Sequence, residues 1–366
     1  MDFVYKFPAV RGIQAKREFF IAMVPLKMLP KLFPTEEEYI APEYRAQRKL
    51  NEARVPIISK YITENLDSYV FSALASSIDG DFKFVPVNDN SDLGTLEVSM
   101  DAVFLINDGQ HRKAAILRAL REEESLSDET ISIVFYADKG LARSQQIFTD
   151  LNKNAVKTSN SISELYDSRD EIAVITRQVI KDIDFLNSYT DKEKDILGKY
   201  SSNLFTLNTF YMANKLILGR VGAKADSYSF LYDYWSLVCA NMMPWDELSK
   251  HTITKVDLRE NYIATQGIVI QALGRVGNYF YLNPQVDMNE SIEGLRKVNW
   301  NRNAAVWQNR AIRSNGRIIT NKKAGMLIAN VIKQELHIQL SPIEVDMENE
   351  LKQYVRQDRK NEVETN

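Results

Sequence analysis

Residues 103–123 read VFLINDGQHRKAAILRALREE, and the fold prediction starts from this stretch. Its first four residues, 103–106, form a continuous apolar run, which is typical of a strand buried on both faces. Two polar residues end the run, and Gly109 predicts a tight turn because glycine adopts backbone conformations closed to other residues. Residues 113–123 repeat their apolar positions with a helical period. The stretch therefore predicts a strand, a turn and a helix in direct succession.

More strands and helices are predicted on both sides of this stretch. Runs rich in β-branched and aromatic residues predict strands at residues 4–10, 19–24, 69–72, 82–86, 96–100 and 131–137. Helical spacing of apolar residues predicts helices at 26–32, 55–66 and 141–151. This mixture predicts an α/β domain that covers residues 1–158.

The second half of the chain has a different pattern. Apolar residues with a period of 3.6 predict helices at 172–186, 204–218, 228–242 and 262–273. We therefore predict a mostly α-helical domain over residues 159–366, and α+β as the fold class of the whole chain. The pentapeptide LGRVG occurs at 218–222 and 273–277, and each copy is predicted to end a helix because glycine is common at that position.

Composition restricts the kinds of site that the chain can carry. Its 366 residues have a net charge of −3, so any anion-binding site must be local. One cysteine, Cys239, and three histidines are too few for a zinc cage or an iron–sulfur cluster, so no metal site is predicted. The start of the sequence does not resemble a signal peptide, and no uncharged apolar run approaches the length of a membrane span. We expect a cytoplasmic, nucleoid-associated protein.

The pentapeptide DGQHR at 108–112 has the parts of a phosphate site. Asp108 can cap the following helix through its carboxylate, and Gly109 lets a ligand approach the backbone. The start of a helix attracts anions, and Arg112 in its first turn can grip a phosphate at two points. Gln110 adds a neutral donor and His111 a titratable group. The alternative is that Asp108 is only a cap and that Arg112 only pairs with a surface carboxylate.

The sequence contains no GxxxxGK[ST] pattern, so phosphate binding by a P-loop is excluded. No pair of acidic residues forms an obvious metal box, although Asp108 or Asp150 could hold Mg²⁺ through water. We therefore expect any nucleotide hydrolysis to be slow or to depend on DNA.

The position of DGQHR after an apolar strand resembles the signature of the DGQHR-domain family. That family is similar to the ParB/sulfiredoxin-like fold, in which a strand–GxxR–helix element binds nucleotide. Residues 148–152, FTDLN, match a second family element, FxxxN. Residues 7–12, FPAVRG, and 51–55, NEARV, look like the DndB group of this family, which acts in bacterial DNA phosphorothioation. The resemblance extends over most of the chain.

This resemblance implies association with DNA, repression of the modification operon and, in related proteins, nucleotide hydrolysis. It implies a site for ATP with Mg²⁺, in which Phe148 would wall the pocket and the amide of Asn152 would bind ligand. Packing in the core is the alternative role for Phe148. The candidate catalytic residues are Asp108, His111 and Arg112. The candidate nucleotide- or phosphate-binding residues are Gly109, Gln110, Arg112, Phe148 and Asn152. Replacing Arg112 by alanine is expected to abolish nucleotide binding and to leave the fold intact.

A basic stretch, residues 296–334, carries nine Lys and Arg residues and no Asp or Glu. Cations of this kind neutralise DNA phosphates, and interleaved amides can read base edges. The candidate DNA-binding residues are Arg302, Arg310, Arg313, Arg317, Lys322 and Lys323. Trp300 and Trp307 are seven residues apart, which predicts that they share a helix face and anchor it to the core. A solvated helix face balanced by the acidic C-terminal region is the alternative.

Three functions remain open at this point. The first is a DNA-binding accessory protein that represses the modification operon, with a nucleotide as its effector. The second is an enzyme that acts at DGQHR and FxxxN and hydrolyses ATP, with or without nicking DNA. The third is a scaffold for the other phosphorothioation proteins. The expected partners are double-stranded DNA, ATP and those proteins, and a homodimer is expected because repressors are often dimers that read two half-sites.

Overall fold

The computed structural model describes residues 3–33, 50–136, 146–147, 149–151, 158–198 and 201–364. The chain divides into two compact units, Met1–Val156 and Lys157–Asn366, which we call the N-terminal unit and the C-terminal unit. The first contains a sheet of seven strands and the second is mostly helical, so the α+β class is confirmed. None of the helices within the described residues combines the length and apolar character needed to cross a membrane.

The sheet of the N-terminal unit mixes antiparallel and parallel pairing. Its strands are β1 (Val4–Gln14), β2 (Arg17–Pro25), β3 (Leu74–Asp79), β4 (Phe82–Pro86), β5 (Leu93–Ser99), β6 (Val103–Asp108) and β7 (Thr130–Tyr136). They lie in the order β4-β5-β1-β2-β7-β3-β6, and only β3 and β7 pair in parallel. Strand β6, which leads into DGQHR, therefore forms one edge of the sheet. Phe104 and Ile106 are buried, but Val103 is exposed and Leu105 half-buried, so the predicted burial on both faces is wrong.

Strands β1 and β2 form a hairpin that is longer than predicted. Its two turn residues, Ala15 and Lys16, both have positive φ angles, 52° and 64°. This is the turn geometry that suits the twist of paired strands, although glycine or asparagine usually provides it. Within β2, Phe20, Ala22 and Val24 are buried and the residues between them are more exposed, so one face of the hairpin faces the core.

Strand β3 was missed, and the strand predicted at 69–72 is absent. The β3 sequence, LASSID, is rich in alanine and serine, which have low or neutral strand propensity. It is nevertheless buried along five of its six residues because it lies between β7 and β6. Ser77 donates a hydrogen bond to Oδ1 of buried Asn107 at 3.0 Å, which satisfies both side chains inside the sheet.

Three helices contribute to the core of the N-terminal unit. They are α1 (Leu29–Leu32, preceded by a 3₁₀ turn at Leu26–Met28), α2 (Val55–Thr63) and α3 (Gln110–Glu122). The core joins strand residues such as Phe7 and Phe135 to Ile62 of α2 and Ile116 of α3. The predicted helix at 141–151 lies largely outside the described residues.

The C-terminal unit contains eleven described helices and one short parallel pair of strands, Thr190–Asp191 and Phe205–Thr206. The helices are α4 (Asn160–Tyr166), α5 (Glu171–Asp182), α6 (Asp184–Tyr189), α7 (Leu207–Leu218), α8 (Ser227–Asn241), α9 (Met243–Ser249), α10 (Lys255–Asn261), α11 (Gly267–Leu282), α12 (Met288–Ile292), α13 (Lys322–Glu335) and α14 (Pro342–Glu364). The helical character predicted for this half is correct. Cys239 packs against its core, and burial raises the pKa of the thiol.

One of the two LGRVG copies does not end a helix. Gly219 ends α7 with a φ angle of +54°, as predicted. The second copy lies inside α11, where a Cβ on Gly274 would be 2.7 Å from the carbonyl oxygen of Ala213 in α7. A Cβ on Gly277 would be 2.9 Å from Ile217 of the same helix. These glycines therefore allow α7 and α11 to pack closely, and the helix-ending role predicted for the second copy is wrong.

Candidate functional site

The DGQHR motif joins the edge strand β6 to helix α3. Gly109 is the residue that starts the helix, with φ +97° and ψ 16°. A Cβ at this position would lie 2.4 Å from Cδ2 of Leu74, at the start of β3. Both the backbone angle and the close approach require glycine. The predicted turn is therefore confirmed. The closeness of Leu74 is a second reason why the turn residue is glycine.

Arg112 binds the chain that precedes β3. Its Nη1 donates hydrogen bonds to the carbonyl oxygens of Ser72 and Ala73, both at 2.7 Å, and to the Ser72 hydroxyl. Its Nη2 donates to Oδ2 of Asp108 at 2.5 Å, one helical turn away. The guanidinium thus ties residues 72 and 73 to the first turn of α3. The expectation that Arg112→Ala leaves the fold intact does not fit these bonds.

Asp108 does not cap α3, which corrects the prediction that its carboxylate would. The N-cap residue of α3 is Gly109, which has no side chain to accept a hydrogen bond. The carboxylate instead pairs with Arg112, so the positive charge expected for a phosphate is already balanced in this arrangement. The backbone N–H groups of Gln110 and Arg112 have no acceptor among the described residues. The groups of the motif that can still bind an anion are therefore these backbone N–H groups at the start of α3.

His111 links α3 to the entry of α2. Its Nε2 accepts a hydrogen bond from the backbone N–H of Asn51 at 3.0 Å, which requires an unprotonated Nε2. Asn51 in turn accepts from the N–H of Ala53 through its own side chain and so begins the turn before α2. Gln110 is half-buried, and its side chain has no hydrogen bond within the described part of the chain. Asp108, His111 and Arg112 each make a side-chain hydrogen bond, so among the described residues the Gln110 amide is the polar group of the motif left for a ligand.

The second predicted element of this site, FxxxN, has its two defining residues outside the described part of the chain. Phe148 and Asn152 belong to the residues that the structure does not describe. Asp150, which is described, accepts a hydrogen bond from Gln146 at 2.7 Å. Within the described ranges, no group of three or more His, Cys, Asp and Glu residues is arranged to hold a metal ion.

A pocket of about 400 Å³, which sequence reasoning missed, touches α3 at Ile116, and no residue of the motif lines it. Its walls include residues 66–71, which directly precede the Ser72–Ala73 segment held by Arg112, and Ile116, one turn further along α3. The Tyr69 hydroxyl donates a hydrogen bond to Glu129 in the pocket wall, and burial together with this carboxylate raises the pKa of Tyr69. The volume is in the range of small-molecule sites.

The basic stretch is not a helix over most of its length. Two 3₁₀ turns, Glu293–Lys297 and Ala305–Trp307, precede α13, which begins only at Lys322. Trp300 and Trp307 therefore do not share a helix face, which corrects that part of the prediction. Both indoles are buried, and their rings stack with centroids 6.0 Å apart. Their predicted role as anchors to the core is confirmed.

Arg310 lies inside the fold of the C-terminal unit. Its guanidinium donates to both carboxylate oxygens of Glu348 in α14, at 2.5 and 2.7 Å. The two side chains are 12% and 8% exposed. Burial by itself would raise the pKa of Glu348, but hydrogen bonds from Arg310 and Asn330 lower it below its ordinary value. A buried, fully bonded guanidinium cannot also contact DNA, so we leave Arg310 out of the candidate DNA surface.

Two more cations of the stretch pair with α14. Lys323 lies 2.8 Å from Glu350 at the surface, and Lys333 lies 2.6 Å from Glu344 in a more buried position. The acidic C-terminal region thus balances part of the basic stretch, as the alternative reading of the sequence predicted. It does so through individual ion pairs.

The remaining candidates gather at a turn, residues 312–318, which we call the arginine turn. Ile312 and Ile318 pair as antiparallel neighbours, and the N–H of Arg313 donates to the carbonyl oxygen of Arg317 at 2.9 Å. Arg313 and Arg317 are exposed, and neither side chain has a bond or ion pair among the described residues. Arg302 donates to the carbonyl oxygen of Gly316 at 2.8 Å and so supports the turn.

Comparison with known proteins adds one finding. A sequence model of the family DndB, described as DNA-sulfur modification-associated, matches residues 7–339. No curated protein and no solved structure matches the chain, so the expected likeness to the ParB/sulfiredoxin fold stays a prediction. The family match includes DGQHR, the neighbouring pocket and the arginine turn. Because it covers nearly the whole sequence, the chain belongs to the DndB family of proteins associated with DNA phosphorothioate modification.

Proposed function

We propose that this protein is a DNA-binding accessory protein of phosphorothioate modification that represses transcription of the modification operon. The observation that carries the proposal is the arginine turn, where Arg313 and Arg317 are exposed without a counter-charge among the described residues. The family is associated with DNA modification, which makes DNA the polyanion that we expect this surface to bind. A chain with a net charge of −3 needs such a local cationic surface to bind a polyanion.

The balance of charges within the C-terminal unit supports this surface. Arg310, Lys323 and Lys333 already pair with carboxylates of α14. Arg302, Arg313, Arg317 and Lys322 have no ion pair within the described residues, so they remain available to phosphates. Each phosphate neutralised by such a cation releases condensed counterions, and affinity should therefore fall steeply with salt.

Fluorescence anisotropy on two labelled duplexes tests the proposal. One duplex carries the region upstream of the protein's own operon, and the other a scrambled sequence of the same composition. A repressor binds the first more tightly at moderate salt, with a specificity of at least about 10³. Equal affinity for both duplexes would contradict repression, and no binding to either at low salt would contradict DNA binding itself.

A matched pair of double variants tests whether the arginine turn is the surface used. We expect Arg313→Ala with Arg317→Ala to weaken binding. The slope of log affinity against log salt concentration should also fall in magnitude by about two, one for each lost phosphate contact. Arg220→Ala with Lys224→Ala is the control, because these exposed cations have the same spacing and lie outside the basic stretch. Equal losses in the two double variants would show that only overall charge matters.

A second candidate function is ATP hydrolysis with Mg²⁺ at DGQHR. The first turn of α3 favours it, because the backbone N–H groups of Gln110 and Arg112 have no acceptor among the described residues. Here Asp108 would hold Mg²⁺ through water, and the first-turn amides would face a phosphate. Because Arg112 already pairs with Asp108, it would not bind the phosphate directly in this arrangement. It would instead hold α3 in position through its bonds to residues 72 and 73.

Calorimetry with ATP and Mg²⁺ tests this candidate, and Gln110→Ala is the informative variant. The fold makes no use of the Gln110 side chain within the described residues, so its loss should reduce nucleotide affinity without reducing stability. Unchanged affinity would remove Gln110 from the site. If the wild-type protein binds neither ATP nor DNA, the remaining function is a scaffold that holds other phosphorothioation proteins.

A further inference from the structure

The arginine turn places two like charges directly opposite each other. Because Ile312 pairs with Ile318, the next pair across the hairpin is Arg313 with Arg317, and a 2.9 Å hydrogen bond joins their backbones. Side chains of such a pair lie on the same face, roughly 5 Å apart at Cβ. Alternation puts the isoleucines on the inner face, where Ile312 is buried, and the arginines on the outer face.

Two like charges opposite each other destabilise a hairpin unless something neutralises both. Within the described residues no carboxylate pairs with Arg313 or Arg317, although α14 pairs with three other cations of the same stretch. The two guanidiniums therefore present a doubly charged edge to solvent. Both charges are therefore open to an anionic partner.

The turn is held in shape before any ligand arrives. Gly316 adopts a φ angle of +74°, and its N–H donates to the carbonyl oxygen of Arg313 at 2.8 Å. The side chain of Asn315 accepts from the N–H of Arg317, and Arg302 supports Gly316 from the side. A preformed turn loses little conformational freedom on binding.

We propose that the arginine turn inserts Arg313 and Arg317 into the minor groove of A·T-rich double-stranded DNA. The inference rests on the proposed DNA-binding function and adds the groove and the base composition that it reads. Narrow A·T tracts have an enhanced negative potential that attracts arginine. Their minor groove is about 6 Å wide, which suits the edge of one turn better than the major groove of about 12 Å.

The amide at the tip of the turn is not free to recognise adenine in the major groove. The exposed residues at its tip are Arg313, Ser314, Asn315, Gly316 and Arg317. The Asn315 carbonyl already bonds to the backbone, so the tip lacks a free amide–carbonyl pair to recognise adenine in the major groove. Lys322, exposed at the start of α13, is near enough in sequence to contact a phosphate beside the groove.

Base analogues in the upstream duplex separate the two grooves. Inosine·cytosine pairs keep the minor-groove pattern of A·T and change the major groove, whereas 2,6-diaminopurine adds an amino group to the minor groove. We expect inosine·cytosine substitution to leave affinity within about threefold, and diaminopurine substitution to lower it by about tenfold or more. The reverse pattern would overturn the minor-groove assignment while the DNA-binding function stands.

Protein variants make the test independent of the analogues. Arg313→Lys with Arg317→Lys keeps the charge, and lysine suffices for phosphate contact but enters narrow minor grooves less favourably than arginine. We expect the lysine variant to lose at least about tenfold in affinity for the unmodified duplex and to lose its sensitivity to diaminopurine. Wild-type affinity in the lysine variant would overturn the proposal. A wild-type protein that binds no duplex would instead overturn the proposed function.

Discussion

Arg310 and Glu348 form a two-point ion pair in the interior of the C-terminal unit, with N–O distances of 2.5 and 2.7 Å. The pair connects the basic stretch to α14, and Asn330 of α13 donates a further hydrogen bond to the same carboxylate at 2.9 Å. Sequence alone presents Arg310 as one cation among nine in an acid-free stretch. Its carboxylate partner lies 38 residues further along the chain.

Arg310→Ala should therefore destabilise the protein by about 3–5 kcal/mol, because it leaves the Glu348 carboxylate buried without its partner. Urea unfolding followed by circular dichroism measures the loss. Lys323→Ala is the control: its pair with Glu350 is exposed, so the cost should stay below about 1 kcal/mol. Similar losses in both variants would show that burial of the pair does not matter.

Gly109→Ala should cost more than Gly222→Ala, although both glycines have positive φ angles, +97° and +75°. Alanine is strained at both positions, at a cost of roughly 1–2 kcal/mol. At Gly109 the new methyl would also meet Leu74, whereas nothing lies within 4 Å of a Cβ at Gly222. Thermal unfolding of the two variants compares the costs. Equal shifts would mean that Leu74 moves away freely.

Arg112→Lys should loosen residues 72 and 73 while the rest of the N-terminal unit stays folded. Lysine has a single nitrogen, whereas Arg112 uses Nη1 for Ser72 and Ala73 and Nη2 for Asp108, so lysine cannot reproduce this geometry. We expect faster amide hydrogen exchange in β3 and a loss of about 1–3 kcal/mol. Unchanged exchange there would show that the guanidinium does not hold this segment.

Glu164→Gln should change the pH dependence of stability. Burial and the carboxylates of Asp195 and Asp170 raise the pKa of Glu164 to about 7. Because its folded pKa lies above its unfolded value of about 4.5, the folded state holds the extra proton, and wild-type stability falls as pH rises from about 5 to 8. The variant has no such proton to lose, so its stability relative to wild type should rise over that range.

The gain expected for Glu164→Gln at pH 8 is on the order of 1–3 kcal/mol relative to pH 5. Denaturant midpoints at several pH values measure it. Glu193→Gln is the control, since that side chain is exposed and should show no such trend. A constant difference between wild type and Glu164→Gln across the range would contradict the raised pKa.

Local patterns predicted most elements of the fold, and they failed where tertiary contacts decide the structure. Periodicity located β6 and α3, because a buried strand and a helix with one apolar face leave clear marks in sequence. It missed β3, whose alanine and serine residues form a strand only because β6 and β7 enclose it. Gly274 looked like the end of a helix because its contact with Ala213 of α7 is invisible in the sequence.

The candidate sites were also predicted where they depend on neighbouring residues and missed where they depend on distant ones. The sequence located DGQHR at a strand–turn–helix junction, and the structure agrees because that junction depends on neighbours in the chain. It could not show that Arg112 bonds to Ser72, forty residues earlier, or that Arg310 bonds to Glu348. The sequence predicted that Arg112 and Arg310 bind anions, but both instead bond to partners within the fold that are distant in sequence. The arginine turn is formed by local bonds, and Arg313 and Arg317 are exposed there, so both stay candidates for DNA binding.

The pairing of Arg310 with Glu348 also has a consequence for the order in which the protein forms on the ribosome. Every strand of the N-terminal sheet has been synthesised once Tyr136 emerges, so that unit can fold while synthesis continues. The ion pair of Arg310 cannot form until Glu348 leaves the exit tunnel, so we expect the C-terminal unit to complete its fold only then. Until that moment residues 296–334 expose nine positive charges and no negative one close to ribosomal RNA. The arrival of α14 neutralises Arg310, Lys323 and Lys333 and so weakens that attraction.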